Sequence, residues 1–430
     1  LNSQWVFTFI TSNSWLDVDF GAVLQEFLIK YCPSIKVFDN QVQRSFASAS
    51  VNTIMCFFDK PVIDVKEIMT GKAQFVNFGK TYEESIWTET MAELDHQVIN
   101  KKFESKKIKT GEVVFTKRTT DELRVIDIDT KDLWLDGSES IGSEWLEARK
   151  YEGNKWGGKF LKAPEIFFTI LEKGKLVQLK QIADVKFGLK TWCNEFFYLP
   201  NHNFDIEEEN EWYKLIPKNS SFPNDLLLEK KYIKPVVKSP REIETTEIEL
   251  KNLDQLCFFT EDQISEDSIT YKYIKRWESQ KYNKKPSCAS RKYWYTLIWN
   301  NYFEVVWPMT IRERYTIAKN NNFLVDARLY WIQNKSNCSV IWVLQSSLTI
   351  FFMEMFSRNY GWGGWPIDTK VYEVLNLLVL KLNSKKALNN RKIWTIFEEF
   401  GFVRDKDIRS QIPNPLPDRK ELDDIIFDEL

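Results

Sequence analysis

The stretch Trp5-Val6-Phe7-Thr8-Phe9-Ile10 is a nearly continuous apolar run rich in β-branched and aromatic residues, broken by the polar Thr11-Ser12-Asn13-Ser14. Such a run suits a strand buried on both faces of a parallel sheet. Beyond the break, Phe20, Val23, Leu24, Phe27, Leu28 and Tyr31 recur at helical spacing, and Pro33 stops the helix they predict. Ile35 to Phe38 and Val51 to Phe58 are two further strand candidates, joined by the polar connection Asp39 to Ser50. A strand, a crossover helix and two more strands read as the last part of an α/β sheet over residues 1–60. The chain opens on Leu1 rather than Met, and its first residues are already strand-like, so the first strands of that sheet are expected upstream.

Residues 61–152 carry a mixed pattern, helical around Ser85 to Lys102 and strand-like at Glu112 to Phe115 and Leu123 to Ile128, and read as a connector. Gly153-Asn154-Lys155-Trp156-Gly157-Gly158 marks a boundary, after which residues 153–400 read as a second globular region of mixed α+β content. Ile393, Ile396, Phe397 and Phe400 predict a late helix closed by Gly401; Pro413, Pro415 and Pro417 then predict an extended tail within 401–430.

Composition excludes several classes. With 59 Lys and Arg against 61 Asp and Glu in 430 residues, the net charge of −2 rules out a polycationic, histone-like binder, and 43% hydrophobic residues rule out disorder throughout. Six cysteines, at 32, 56, 193, 257, 288 and 338, form no Cys-x-x-Cys pair, so neither a disulfide framework nor a thiolate zinc site is indicated, and a reducing, cytoplasmic setting is expected. Two histidines, His96 and His202, are too few for most zinc hydrolase sites. The apolar stretches at Leu375 to Leu380 and Leu348 to Phe352 fall well short of the ~20 residues of a membrane span.

Charge is segregated inside the second region. Residues 241–270 hold nine acids and two bases, a net of −7, whereas residues 271–320 hold eleven bases and three acids, a net of +8. The basic segment interleaves its cations with Tyr271, Tyr273, Trp277, Tyr282, Tyr293, Trp294, Tyr295, Trp299, Tyr302, Phe303, Trp307 and Tyr315. Two readings fit: a nucleic-acid surface in which cations meet phosphates and rings stack on bases, or a solvated basic face over an aromatic core. Phe46, in the polar loop Gln43 to Ala49, either walls a pocket for a flat ligand such as an extruded base or folds back on the core. Around Gly361-Trp362-Gly363-Gly364, Arg358 and Trp362 could meet a phosphate and a base, or the glycines simply end a helix. Asp225, Glu229 and Lys231 have the residue types of a metal-dependent nuclease but read as a solvated helix face.

Several blocks in order resemble the adenine-N6 DNA methyltransferases of fused type II restriction-modification enzymes. Trp5 to Gly21 is similar to the segment after that family's catalytic loop, and Asp39 to Thr53, with Phe46, to its following strand pair and target-base loop. Trp156 to Phe168 and Leu179 to Tyr198 resemble the start of its target recognition domain; Arg291 to Tyr295, Asp326 to Ile332, Ser346 to Asp368 and Pro417 to Leu430 extend the likeness. The resemblance implies the end of a Rossmann-like methyltransferase sheet followed by a mixed α+β recognition domain. It further implies double-stranded DNA as partner and S-adenosylmethionine as methyl donor in the intact enzyme, with Phe46 stacking on the flipped adenine. Lys186, Lys190, Thr191, Asn194, Arg291, Arg358 and Trp362 would contact DNA. The family's glycine-containing cofactor loop and its Asn-Pro-Pro-Tyr/Phe catalytic loop do not occur here and would precede Leu1, so this chain by itself is expected to bind DNA without methylating it. Trp192-Cys193 stands where the family places small residues, often including a glycine, after Lys190-Thr191. The rival reading is a non-catalytic DNA-specificity subunit of a restriction-modification system; a carbohydrate-binding or carbohydrate-processing protein, prompted by 17 Trp and 16 Tyr, is more distant.

Overall fold

The opening apolar run forms β1 (Val6–Ser12), the helical periodicity after it forms α1 (Ala22–Tyr31), and the next two candidates form β2 (Ser34–Asn40) and β3 (Thr53–Asp59). β3 pairs antiparallel with both β1 and β2, so β1 and β2 run in the same direction with β3 threaded between them. This computed structural model describes residues 6–40, 42, 52–64, 69–81, 84, 103–139, 149–299, 304–311, 315–335, 340–359, 367–382, 413–415 and 417–430.

Two local expectations are corrected. β1 is not buried on both faces: it is a terminal strand of its sheet, and Val6, Phe7, Phe9 and Ile10 are all exposed. The sheet is largely antiparallel, with β2 running parallel to the strand on its other side. Phe20, in the short turn before α1, and Val23, Leu24 and Phe27 on it face outward, while Gln25, Leu28 and Ile29 are buried. The cause is Gln25. Its Nε2 donates to the carbonyls of Trp15 (3.2 Å), Leu16 (3.1 Å) and Asn154 (3.0 Å), and its Oε1 accepts from the Asn154 N–H and the Tyr151 hydroxyl, each at 2.9 Å. A buried amide satisfied on every side fixes the helix rotation more strictly than an apolar stripe does.

The region read as a connector is no connector. β4 (Lys72–Phe78), β5 (Glu104–Thr110), β6 (Val113–Thr119) and β7 (Leu123–Asp129) join the first three strands in one seven-stranded sheet, ordered β1-β3-β2-β4-β7-β6-β5. Buried Ile35, Val37, Ile54, Phe75, Phe115 and Ile126 alternate along these strands. The turn after Gly153 packs here too: Phe75 stacks on Phe160 at 4.9 Å and meets Trp156 edge-on at 5.6 Å.

The chain folds as two compact units, Leu1–Leu179 with Leu348–Lys381 and Ile426–Leu430, and Lys180–Ser347 with Leu382–Ile425. The sequence reading divides the chain at residue 153, whereas the first unit runs to Leu179 because Trp156, Phe160 and Phe168 close its core.

In the second unit, β8 (Ala183–Phe187) leads through a short loop to α2 (Asn194–Phe197). Downstream lie β9 (Ile233–Val237), β10 (Gln255–Phe258), α3 (Tyr271–Ser279), α4 (Pro286–Ala289), β11 (Val305–Pro308), β12 (Leu324–Val325) and β13 (Leu329–Asn334). One sheet sets β8 and β11 antiparallel on either side of β13; another sets β9 between antiparallel β10 and parallel β12. Phe196 centres the aromatic core, 5.0 Å from Tyr273 and 4.6 Å from Trp294. The proline-marked tail is helical over Pro417–Glu429 rather than extended, since proline is well tolerated in a first helical turn, and Leu422 and Ile426 are buried on one face. No helix among the described residues is long and apolar enough to cross a membrane.

Candidate nucleic-acid interface

Three backbone segments converge at Asp326 in the second unit. Leu189 N–H donates to the Val325 carbonyl (2.6 Å), Ala327 N–H to the Leu189 carbonyl (3.0 Å), and Asp326 N–H to the Val237 carbonyl (2.9 Å). Gly188 permits this approach, because a Cβ there would lie 2.2 Å from the Asp326 carbonyl oxygen and 2.5 Å from that of Val325. The Asp326 carboxylate accepts from the Tyr198 hydroxyl at 2.6 Å and from the Arg328 N–H at 3.0 Å. Burial, then the neighbouring Cys257 and Asp326, push the Tyr198 phenol far above its ordinary range, so it remains a donor.

From this frame the loop 188–194 projects. Lys186 and Phe187 are exposed at the end of β8, with Phe187 edge-on to Tyr330 at 5.1 Å, and the Lys190 Nζ sits 4.2 Å from the Phe187 ring centre. Thr191 is buried and hydrogen-bonds Asn194, whose own side chain is exposed at the start of α2. Cys193 is buried, its Sγ 2.8 Å from that of Cys288, and burial together with this contact pushes its thiol up to about 12. Trp192, between two buried residues, is exposed and has a left-handed backbone, φ 58°. For a bulky side chain that conformation costs about 1–3 kcal/mol and persists only when the surroundings impose it.

Arg291 imposes much of it. The sequence resemblance assigns this guanidinium to DNA, but its donors are turned inward: Nη2 to the carbonyls of Thr191 (2.7 Å) and Lys190 (3.1 Å), Nη1 to that of Trp294 (3.2 Å). It clamps the loop. Lys186, Lys190 and Asn194 are presented outward, and Thr191 braces Asn194. Arg358 is in the first unit, in a two-residue strand paired with Ile367–Asp368. Phe46 and Trp362 lie outside the described residues.

The two readings of the basic segment are now separated. Tyr273, Trp277, Trp294, Tyr295, Trp299, Trp307 and Tyr315 are buried, so most of its rings are core beneath a charged surface. Lys272 and Lys275 pair with Asp225 and Glu278. The Glu229 carboxylate accepts from the Ser268 hydroxyl and pairs with Lys231 at 2.8 Å; among the described residues no group of three metal-ligating side chains occurs. Residues that sequence reasoning passed over are Arg328, exposed beside the convergence point, and Lys238, whose ammonium donates to Gln255 and is held below its ordinary pKa by burial and by Arg328. Exposed Phe187 and Trp192 belong with them, and the signal for Trp192 was its replacement of a small residue.

In the first unit, the cavity lined by Asp136, Asn154, Lys159, Gln178, Phe356 and Tyr372 does not fit S-adenosylmethionine: it has about 30 Å³ open to a water molecule, far too little for a nucleoside, and the Lys159–Asp136 ion pair (2.8 Å) lies in its wall.

The clamped, cation-bearing loop and its mixed α/β frame lie in the part of the chain that sequence comparison assigns to the C-terminal domain of type II methyltransferases. Residues 153–367 match the family described as Type II methyltransferase M.Eco57I, C-terminal domain, and the chain belongs to that family. Among solved structures, the type IIG restriction endonuclease BpuSI is similar over 99% of this chain and 47% of its own, at 12% identity and a TM-score of 0.38. The type IIL restriction-modification enzyme MmeI, solved in complex with DNA, is similar over 98% of this chain and 46% of its own, at 12% identity and a TM-score of 0.40. The chain therefore spans about half the length of these solved relatives. No curated protein matches its sequence.

Proposed function

We propose that this chain is the DNA-recognition and target-base-positioning part of a site-specific adenine-N6 DNA methyltransferase, with S-adenosylmethionine as methyl donor in the intact enzyme. The observation that carries the reading is the loop 188–194: Arg291 and the buried Thr191 and Cys193 hold it in one shape, so Lys186, Lys190 and Asn194 meet a duplex without paying to order a flexible segment. The end of the catalytic domain is proposed to lie in the seven-stranded sheet, to which residues 1–60 contribute β1, β2 and β3. Supporting this, β1, α1 and β2 make a crossover in one direction, and β1 is an apolar edge strand of a kind that ordinarily continues into further strands. A free-standing specificity subunit has no use for such an edge, which disfavours the alternative.

Fluorescence anisotropy with a labelled duplex across a salt series tests the reading. Log affinity should fall with log salt, by ~0.9 per phosphate contacted. Failure to bind any duplex at low salt removes the proposal.

A further inference from the structure

Trp192 combines three properties that rarely coincide. The residue is 67% exposed, its backbone is left-handed at φ 58°, and both sequence neighbours are buried and anchored. Glycine adopts this conformation freely, and a small residue is what the family resemblance leads one to expect after Lys190-Thr191. The fold therefore holds a large ring out in water at a position that disfavours it. Core packing does not account for this, because the ring is outside the core. The clamp does not require it either: the Arg291 bonds reach the carbonyls of Lys190 and Thr191, and the α2 amides of Phe196 and Phe197 bond the Cys193 carbonyl at 2.9 and 3.1 Å, all on the backbone of neighbouring residues and none on the Trp192 side chain.

The surroundings indicate what the ring meets. Lys190 immediately precedes it, and Lys186 and the exposed Phe187 lie at the root of the same loop. Cations that track phosphates next to a rigid, solvent-facing aromatic suit a ring that enters a groove and presses between bases, exchanging base–base stacking for base–indole stacking.

We infer that Trp192 is a base-contacting wedge of the DNA interface, a role resting on the DNA-binding reading above. Its removal should weaken binding without removing a phosphate contact and without harming the fold.

The experiment compares wild type, Trp192→Gly, Trp192→Phe and Lys190→Ala by anisotropy on two labelled duplexes of mixed sequence, one fully paired and one with a central mismatch, across a salt series, with melting temperatures alongside. Trp192→Gly should bind about 5- to 150-fold more weakly, the range of one lost stacking contact, with an unchanged salt slope. It should melt at the same temperature or higher, since glycine relieves the left-handed strain. Wild type should favour the mismatched duplex, whose bases part more easily, and Trp192→Gly should lose that preference. Trp192→Phe should retain most of both effects, and Lys190→Ala should instead flatten the salt slope by ~0.9. If Trp192→Gly binds both duplexes as wild type does, the wedge is wrong while the DNA-binding reading stands. If it loses affinity only together with melting temperature, the ring is structural and the wedge is equally wrong. If wild type binds neither duplex, both fall.

Discussion

Replacing Arg291 separates a clamp from a phosphate contact. In Arg291→Met the apolar stem length is roughly kept, but three donated hydrogen bonds are lost. The shortest, at 2.7 Å, goes to the carbonyl of buried Thr191, and leaving a buried acceptor without its partner costs about 1–3 kcal/mol. The bonds at 3.1 and 3.2 Å reach partly wetted positions where water takes over, so they add less, and the contact of the guanidinium carbon with the Phe197 ring at 5.2 Å contributes a further fraction. The total is about 2–3 kcal/mol, which in a unit of this size lowers the melting temperature by roughly 4–10 °C. DNA affinity should fall because the loop is no longer preordered, yet the salt slope should stay at the wild-type value. Differential scanning fluorimetry and anisotropy titrations at several salt concentrations measure the two quantities. A variant that melts like wild type and loses ~0.9 from its salt slope would refute the clamp and restore Arg291 as a phosphate ligand.

Gln25→Leu should destabilise the first unit by about 3–5 kcal/mol, since it strips partners from the carbonyls of Trp15, Leu16 and Asn154 and from the Asn154 N–H; chemical denaturation reads this, and a change below 1 kcal/mol would show that the amide does not set the rotation of α1. Burial pushes the thiols of Cys32 and Cys56 up to about 11 and about 12, and Cys193, Cys257 and Cys288 are buried as well, so at pH 8 these five should react with a disulfide reagent no faster than the protein unfolds, with fast modification of any of them in the native state as the contrary result. If Phe46 stacks on the flipped base of an intact methyltransferase, as the sequence resemblance implies, Phe46→Ala should remove about 1–3 kcal/mol of base stacking, seen as lost methyl transfer and a changed 2-aminopurine fluorescence at the target, with Phe46→Trp retaining much of the wild-type behaviour. A marked drop in melting temperature with unchanged methylation per folded molecule would make Phe46 a core residue.

Local pattern alone placed β1, α1, β2 and β3 in order, because apolar runs, 3.6-residue periodicity and proline stops act over a few residues. It also found the strands at 112–115 and 123–128, though not that they belong to the same sheet as β2, and the blocks of the recognition region sufficed to indicate the family that the match over residues 153–367 establishes. Tertiary structure decided everything that depends on a partner far away in the chain. The rotation of α1 follows from Gln25 meeting Asn154, 129 residues on, and overrides the apolar stripe that periodicity reads. The role of Arg291 follows from carbonyls 100 and 101 residues earlier, and composition cannot distinguish an arginine that binds phosphate from one that binds its own backbone. Interleaved tyrosines and tryptophans look alike in sequence whether they face water or core, since the burial of a ring is set by what folds over it. The left-handed turn at Trp192 is the same kind of fact: a single residue's preference runs against it, and only the anchored neighbours on both sides hold it there.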